Sequence, residues 1–418
     1  MHYKKQMYLA LLLVVSTLLL FSGCNQDDGN TLQLWHIWTD ENRGVPIERA
    51  ARRFEEANPG IRVVISATPN DPYKTRLRTV GAEEFPDVFH SWGGGWLESF
   101  IDAGFVADIT NEVNQARSEL NPALINNANF RGRYYGVPYI ASTTILFYNK
   151  DIFNRFNLQV PRNFSELERV AEVLIANDIT PFALANRTRW PGAQHFVLVS
   201  MRIGGGDIFT RAYNRQVPFT DPAFIQAGDM IIDMVGKGWF PSGANGMDWD
   251  TGQSRILFYT ERAAMLVQTS GFMGTARVEN RAFYDEKLAL ATYPVIEGGR
   301  GTSTELLAGT NIFSVSAHSR NPELARKLAI FLATDQELQQ TFLNNGILAA
   351  KPGLNVTDSH VRTALDQLNN ATFLQNFIDQ TLSPEMASLH QDTTQALIGR
   401  TMTSQQVAAA MQQAIENE

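Results

Sequence analysis

The stretch "PDVFHSWGGGW", residues 86–96, decides the fold. Its first half, around Val88 and Phe89, is a short apolar run of the kind that forms a buried strand. It stops abruptly at Trp92, three glycines and Trp96. Glycine brings no side chain to pack and tryptophan is costly to expose, so this strand end has something to meet. Backbone without side chains can come close to a ligand and offer its N–H groups.

Working outward from this stretch builds a sheet. "DPYKTRLRTVGAEEF", residues 71–85, has helical character, and "IRVVIS", residues 61–66, reads as a strand before it. Further back, "RGVPIERAARRFEEANPG", residues 43–60, sets Val45, Ile47, Ala50, Ala51 and Phe54 at helical spacing and closes on a Pro-Gly stop. "LQLWHIW", residues 32–38, opens the series as a strand. Strand, helix, strand, helix, strand is the signature of a mainly parallel α/β sheet. Ligands of such sheets bind beyond the carboxyl ends of the strands. Those ends deliver Trp38 and Asp40, then Asp71 and Tyr73, then Ser91, Trp92 and Gly94. "WLESF" reads as the start of a helix with Trp96 on its core side, so Trp92 is the ring expected to meet ligand.

The same alternation continues along the chain. Residues 140–148 form a long extended apolar stretch, and residues 160–176 a helix with Ser165 as its expected cap. Residues 221–235 read as a helix, 238–246 as a loop, 262–274 as a strand then a loop, and 288–296 as a second extended crossing. Residues 306–316 read as a strand pair or hairpin, residues 321–346 as helix with one break near Thr334, and the tail after Asp358 as mostly helical. No internal repeat or low-complexity segment is present.

The 418 residues imply two or three domains. Hydrophobic content of 44% is enough for sizeable cores. A formal net charge of -8 argues against nucleic acid as a partner, because a phosphate backbone needs a basic face. Residues 1–23 carry Lys4 and Lys5, an apolar run from Met7 to Phe21, and small residues before Cys24. That is the pattern of a secretory signal peptide, with an apolar run short of the roughly 20 residues a spanning helix needs. Cys24 is the only cysteine, so an internal disulfide is excluded. "FSGC", residues 21–24, resembles a bacterial lipobox, with Phe21 where that pattern prefers Leu. The resemblance implies a lipid on the Cys24 sulfur, an extracytoplasmic location at the cell membrane, and a flexible tether over residues 24–30.

Several pieces together resemble the extracellular solute-binding proteins of ABC importers, carbohydrate-type family 1, which includes maltose-binding proteins. They are "RRFEEANPGIRVVI", "FPDVFHSWGGGWLESFIDAGFVADIT", "GRYYGVPY" followed by "LFYNKDIF", "AAMLVQTSGFM", "LAGTNIFSVSAHSRNPELARKLAIFLATDQE" and "ALIGRTMTSQQVAAAMQQA". The resemblance covers nearly all of the chain after the signal. It implies an α/β, two-lobed periplasmic-binding-protein type II fold with three interlobe crossings, placed near Ser142, Ala289 to Ala291 and Thr334. The amino-terminal lobe is then residues 31–142 plus 290–333, and the other lobe 143–289 plus 334–418. A mono- or oligosaccharide ligand, the permease subunits of an importer and a monomeric state are implied with it, and no cofactor. Where the family often has Trp in the "SGFM" loop, this chain has Phe272.

A saccharide site needs flat rings to cover the C–H face of a pyranose and polar groups for its hydroxyl rim. The candidates are Trp38, Asp40, Asp71, Ser91, Trp92, Gly94, Tyr139, Trp190, Ser270, Phe272 and Asn311. Tyr139 and Asn311 stand beside proposed crossings. Asp71 has a rival reading as a helix cap. Trp239 and Trp249 fall in loop-like segments and fit packing or contact equally. No nucleophile elbow, zinc-protease motif, paired-cysteine motif or P-loop occurs. His36, His90 and His195 are scattered and read as packed or surface residues rather than metal ligands. Two other classes stay open on sequence alone: a secreted carbohydrate-active enzyme using carboxylates such as Asp40 and Asp71, and a surface adhesin without a closing cleft.

Overall fold

A computed structural model describes residues 30–417. The expected signal peptide and the Cys24 lipid site lie outside the described residues, as does all but the last residue of the tether. Strands β1 (Thr31–His36), β2 (Arg62–Ala67) and β3 (Val88–Ser91) pair in parallel with β1 in the centre, joined through helices α1 (Gly44–Ala57) and α2 (Asn70–Thr79). Helix α3 (Gly94–Asp102) follows β3 directly. In α1 the residues Pro46, Ile47, Ala50, Ala51 and Phe54 are buried, close to the expected stripe.

A 13-residue strand, β4 (Val137–Asn149), serves both halves of the molecule. Its first part pairs antiparallel with β8 (Glu305–Val315), which in turn pairs with β3. Its last part, from Thr144, pairs with β6 (Ala263–Thr269) and β7 (Leu288–Ala291). Beyond β6 lies β5 (Thr180–Phe182), paired in parallel. Helices α4 (Phe164–Ile175), α5 (Trp190–Gly204) and α6 (Pro222–Gly236) pack into the core of this second half, and α7 (Phe272–Glu279) follows directly on β6. Its core gathers Leu167, Phe182, Leu198, Phe224, Trp239 and Met265, whereas Leu34, Ile47, Phe54, Val88, Phe313 and Leu332 pack in the first.

The crossings differ in part from those expected. β7 pairs wholly with Leu146 to Asn149, so the chain is still in the second half at Ala291. It returns along β8: Glu305 to Leu307 pair with β9 (Phe373–Gln375), and Ala308 to Phe313 pair with the first part of β4. Helix α8 (Pro322–Thr334) is followed by α9 (Gln336–Asn344), capped by the Asp335 carboxylate, and Arg53 of α1 ion-pairs with both Asp335 and Glu337. Thr334 therefore is no exit. The chain leaves after Ala350, whose N–H donates to the Tyr139 carbonyl. It rejoins the second half at Asp358, which pairs with Arg277 at 3.0 Å, ahead of α10 (Ser359–Asn369).

Two local expectations are also corrected. The cap of α4 is Asn163, whose side chain accepts from the Glu166 N–H at 2.8 Å, while Ser165 is inside the helix. β8 is one continuous strand, not a hairpin. Gly309 does not turn the chain; a Cβ there would crowd the Phe377 ring and the Asn376 side chain.

Candidate functional site

Between the halves lies a cavity of about 460 Å³, within the usual range for a small-molecule site. The first half contributes Trp38, Asp40, Arg43 and Trp92 at strand ends and Lys74 from α2. The second contributes Trp190 and Gln194 from α5, Trp249 and Asp250 from a loop, and Phe272 at the start of α7. Ser142, Thr310 and Asn311 from β4 and β8 form part of the floor. Helix α11 (Ile378–Thr381) and helix α12 (Pro384–Ile398) close one end with Asp379, His390 and Gln391.

Of the eleven expected site residues, Trp38, Asp40, Trp92, Trp190, Phe272 and Asn311 line this cavity. Tyr139 is fully buried behind it: its hydroxyl accepts from the Trp38 indole N–H at 2.7 Å, lies 2.6 Å from His90 Nδ1, and its ring stacks on Phe313. Alternation along β4 points Tyr139 away from the face where Ile140 meets the cavity. Ser91 is buried against Ser314, Oγ to Oγ 2.7 Å. Ser270 is buried too, its N–H donating to the Thr143 carbonyl and its Oγ accepting from the Thr143 N–H. Asp71 is neither a cap nor a wall of the cavity. It sits in the first turn of α2, accepts from Asn70 Nδ2 at 2.8 Å, and lines a neighbouring groove. Burial raises its pKa above the usual carboxylate value.

The three glycines have a different partner from the one expected. A Cβ on Gly94 or Gly95 would overlap the carbonyl oxygens of Gln380 and Thr381, and one on Gly93 would overlap that of Asn127. Gly94 and Gly95 let the start of α3 dock closely against the backbone of α11 of the other half, and Gly94 adopts φ +64° to do so. Trp96 is core, as expected, in a perpendicular contact 4.9 Å from Trp92. Trp92 reaches the cavity, but Lys74 Nζ lies over its ring at 4.7 Å from the centroid.

The rings of the second half are arranged for contact. Trp190 and Trp249 meet edge to face at 5.7 Å, and Trp249 lies 6.3 Å from Phe272. Trp239, by contrast, is core, stacked on Phe164 at 5.6 Å. Charges on the wall are mostly paired: Arg43 with Asp40 at 2.7 Å, Lys74 with Asp379 at 2.7 Å, Arg255 with Glu279 at 2.7 Å. Desolvation, followed by the neighbouring carboxylates of Asp248 and Asp71, raises the pKa of Asp250. Among the described residues no group of three or more His, Cys, Asp or Glu is placed to hold a metal.

Lys74, Arg43, Gln194, Trp249, Asp379 and Gln391 were not among the expected site residues. Lys74 carried a usable signal: it follows the same strand end as Asp71, three positions on, about one helical turn away. Asp379 and Gln391 carried none, because only the tertiary fold brings α11 and α12 to the cleft.

Comparison with known proteins agrees with this geometry. Residues 38–339 match the family of bacterial extracellular solute-binding proteins. The multiple sugar-binding protein of Streptococcus mutans is 23% identical over 364 residues, covering 84% of each chain. The galactooligosaccharide-binding protein of Bacillus subtilis is 25% identical over 308 residues, covering 72% of this chain and 68% of that protein. A structure from work on xylan utilization by the thermophilic bacterium Caldanaerobius polysaccharolyticus superposes with a TM-score of 0.86 at 28% identity, covering 92% of this chain and 99% of the other. A chitin oligosaccharide binding protein superposes at 0.82 with 22% identity, covering 92% and 98%. The molecule has the two-lobed α/β fold of periplasmic binding proteins, its cavity lies between the lobes, and the match extends over most of its length: the chain belongs to the bacterial extracellular solute-binding protein family.

Proposed function

We propose that this extracellular solute-binding protein captures a saccharide in the interlobe cleft and hands it to the permease of an ABC importer. One observation carries the reading. Aromatic rings from both halves, Trp38 on one side and Trp190, Trp249 and Phe272 on the other, line one cavity together with Asp40, Gln194 and Asn311. Rings cover the apolar face of a pyranose, and the polar groups take its hydroxyl rim. The relatives named as sugar-binding and galactooligosaccharide-binding proteins support the same ligand class. The family consists of solute-binding proteins, which are not enzymes, and Asp71 lies outside the cavity that holds Asp40, so those two do not form the carboxylate pair of a hydrolase.

A ligand touching both walls favours the closed arrangement by no more than its differential affinity for it. The finer parts of the reading are proposals of the same kind: a monomer, anchored by lipid on Cys24, working beside a membrane permease. Titration calorimetry of the purified protein against xylo-, chito-, malto- and galacto-oligosaccharides tests the ligand class. The expected result is saturable binding of one series with no product formed. Silence across every series, with folded protein confirmed, would sink it.

A further inference from the structure

The cavity does not end at a continuous wall. Beside it runs a second groove of about 570 Å³, again built by both halves, with α2 on one side and α12 on the other. The two spaces share three residues, Lys74, Asp379 and Gln391. Lys74 Nζ meets Asp379 Oδ2 at 2.7 Å across the cleft, and Gln391 Nε2 donates to the same oxygen at 3.3 Å. The side chains of Lys74 and Asp379 are only 16% and 20% exposed. Lys74 also lies over Trp92. One ion pair thus divides the two spaces and covers an aromatic face at the dividing line.

We propose that the Lys74–Asp379 pair is a partition that sets the length of saccharide the cleft accepts. With the pair closed, a ligand is confined to the first cavity. With Lys74 swung aside, the space more than doubles and the Trp92 ring becomes a stacking surface for the next sugar unit. The groove beyond supplies hydrogen-bonding groups for a hydroxylated chain, among them Thr75, Thr79, Ser388 and Arg189. Lysine suits this part: its four-carbon stem is flexible and its ammonium makes no bidentate lock on the carboxylate. The inference rests on the saccharide reading above and adds chain length to it.

The test measures affinity against length. The probes are the di- to hexasaccharides of whichever series binds, titrated into the native sequence, Lys74→Met and Asp379→Asn. Methionine keeps most of the stem and removes the charge. In the native protein affinity is expected to stop rising once the first cavity is filled. In both variants the ratio of affinities, longest probe to shortest, is expected to rise about tenfold over the native ratio. Raising salt screens a partly exposed pair, so the native protein is expected to shift toward long probes in the same sense. A uniform change at every length, or none at any length in both variants, overturns the partition. Failure of the native protein to bind any member overturns the saccharide reading instead. Thermal unfolding of each variant separates loss of fold from loss of selectivity.

Discussion

Tyr139 accepts the indole N–H of Trp38 at 2.7 Å while its own hydroxyl lies 2.6 Å from His90 Nδ1. An indole can only donate, so Tyr139 is the acceptor of the first bond, and the second joins the same hydroxyl to His90 Nδ1. The edge of Trp38 is thereby committed to the interior, and only its face is left for a ligand. Tyr139→Phe removes the tie and keeps the ring stacked on Phe313. The expected result is about tenfold weaker saccharide binding, with the melting temperature lowered by a few degrees, since each of the two hydrogen bonds lost is worth about 1 kcal/mol. Unaltered affinity would show that Trp38 holds its place without the tie.

Trp190 and Trp249 should separate from Trp239 in a mutational pair of assays. Trp249→Ala and Trp190→Ala are expected to weaken binding by about 1–3 kcal/mol each, the range for losing a stacking ring, with modest change in stability. Trp239 is buried against Phe164, and Trp239→Ala is expected to cost about 3–5 kcal/mol of stability, read from chemical denaturation. The reverse pattern would place the ligand elsewhere.

Gly94→Ala probes the docking of α3 on α11. The new methyl would overlap the Gln380 carbonyl oxygen, at a φ of +64° that already disfavours alanine. About 2–4 kcal/mol of destabilisation is expected from strain and overpacking together, or, if the halves yield instead, a larger interlobe distance in small-angle scattering. A variant with native stability and native dimensions would remove the docking from the account.

Acid should loosen the fold through its buried histidines. Burial lowers the pKa of His36 to about 4, of His195 to about 3 and of His390 to about 4, and it lowers that of His90 well below 6.5. Between the unfolded value near 6.5 and these folded values, the unfolded chain binds more protons, so stability falls as pH falls. Burial raises the pKa of Asp71 and of Asp250, which acts in the opposite sense, but the four histidines outnumber these two carboxyls. The melting temperature is expected to be flat above pH 7 and to drop steadily from pH 6.5 to 5. A flat profile over that last interval would mean that the histidines are reachable by water.

Membrane attachment has a direct assay. Cys24→Ser in the full-length chain is expected to move the protein from the membrane fraction to the soluble one, or to leave the precursor unprocessed. Unchanged partition in the variant, with residues 1–23 still attached in the native protein, would identify the amino-terminal segment as an uncleaved anchor.

How much of this could be read from the chain depends on distance along it. The first three strands and two helices were legible because their periodicity is local and their buried residues recur every second or every third to fourth position. Trp38, Asp40 and Trp92 followed from one rule about strand ends. Tyr139 did not, because β4 is buried on both faces and its pattern gives no sign of which face meets the cavity. The Thr334 crossing was misplaced because a helix break and a lobe change look alike in sequence; the ion pairs of Arg53 decide between them. Asp379 and Gln391 lie some three hundred residues from Lys74, and no local signal announces that meeting.

The contact of Gly94 and Gly95 with α11 has a further consequence for how such a receptor can change over generations. At Gly94 the joint is main chain against main chain, so no side chain there reads the solute. Selectivity lies in the rings and polar groups around the cavity, which can be exchanged without disturbing the joint. A lineage, or an engineer building a sensor, can therefore exchange the side chains of the cleft for a new solute while this backbone contact between the halves is inherited intact.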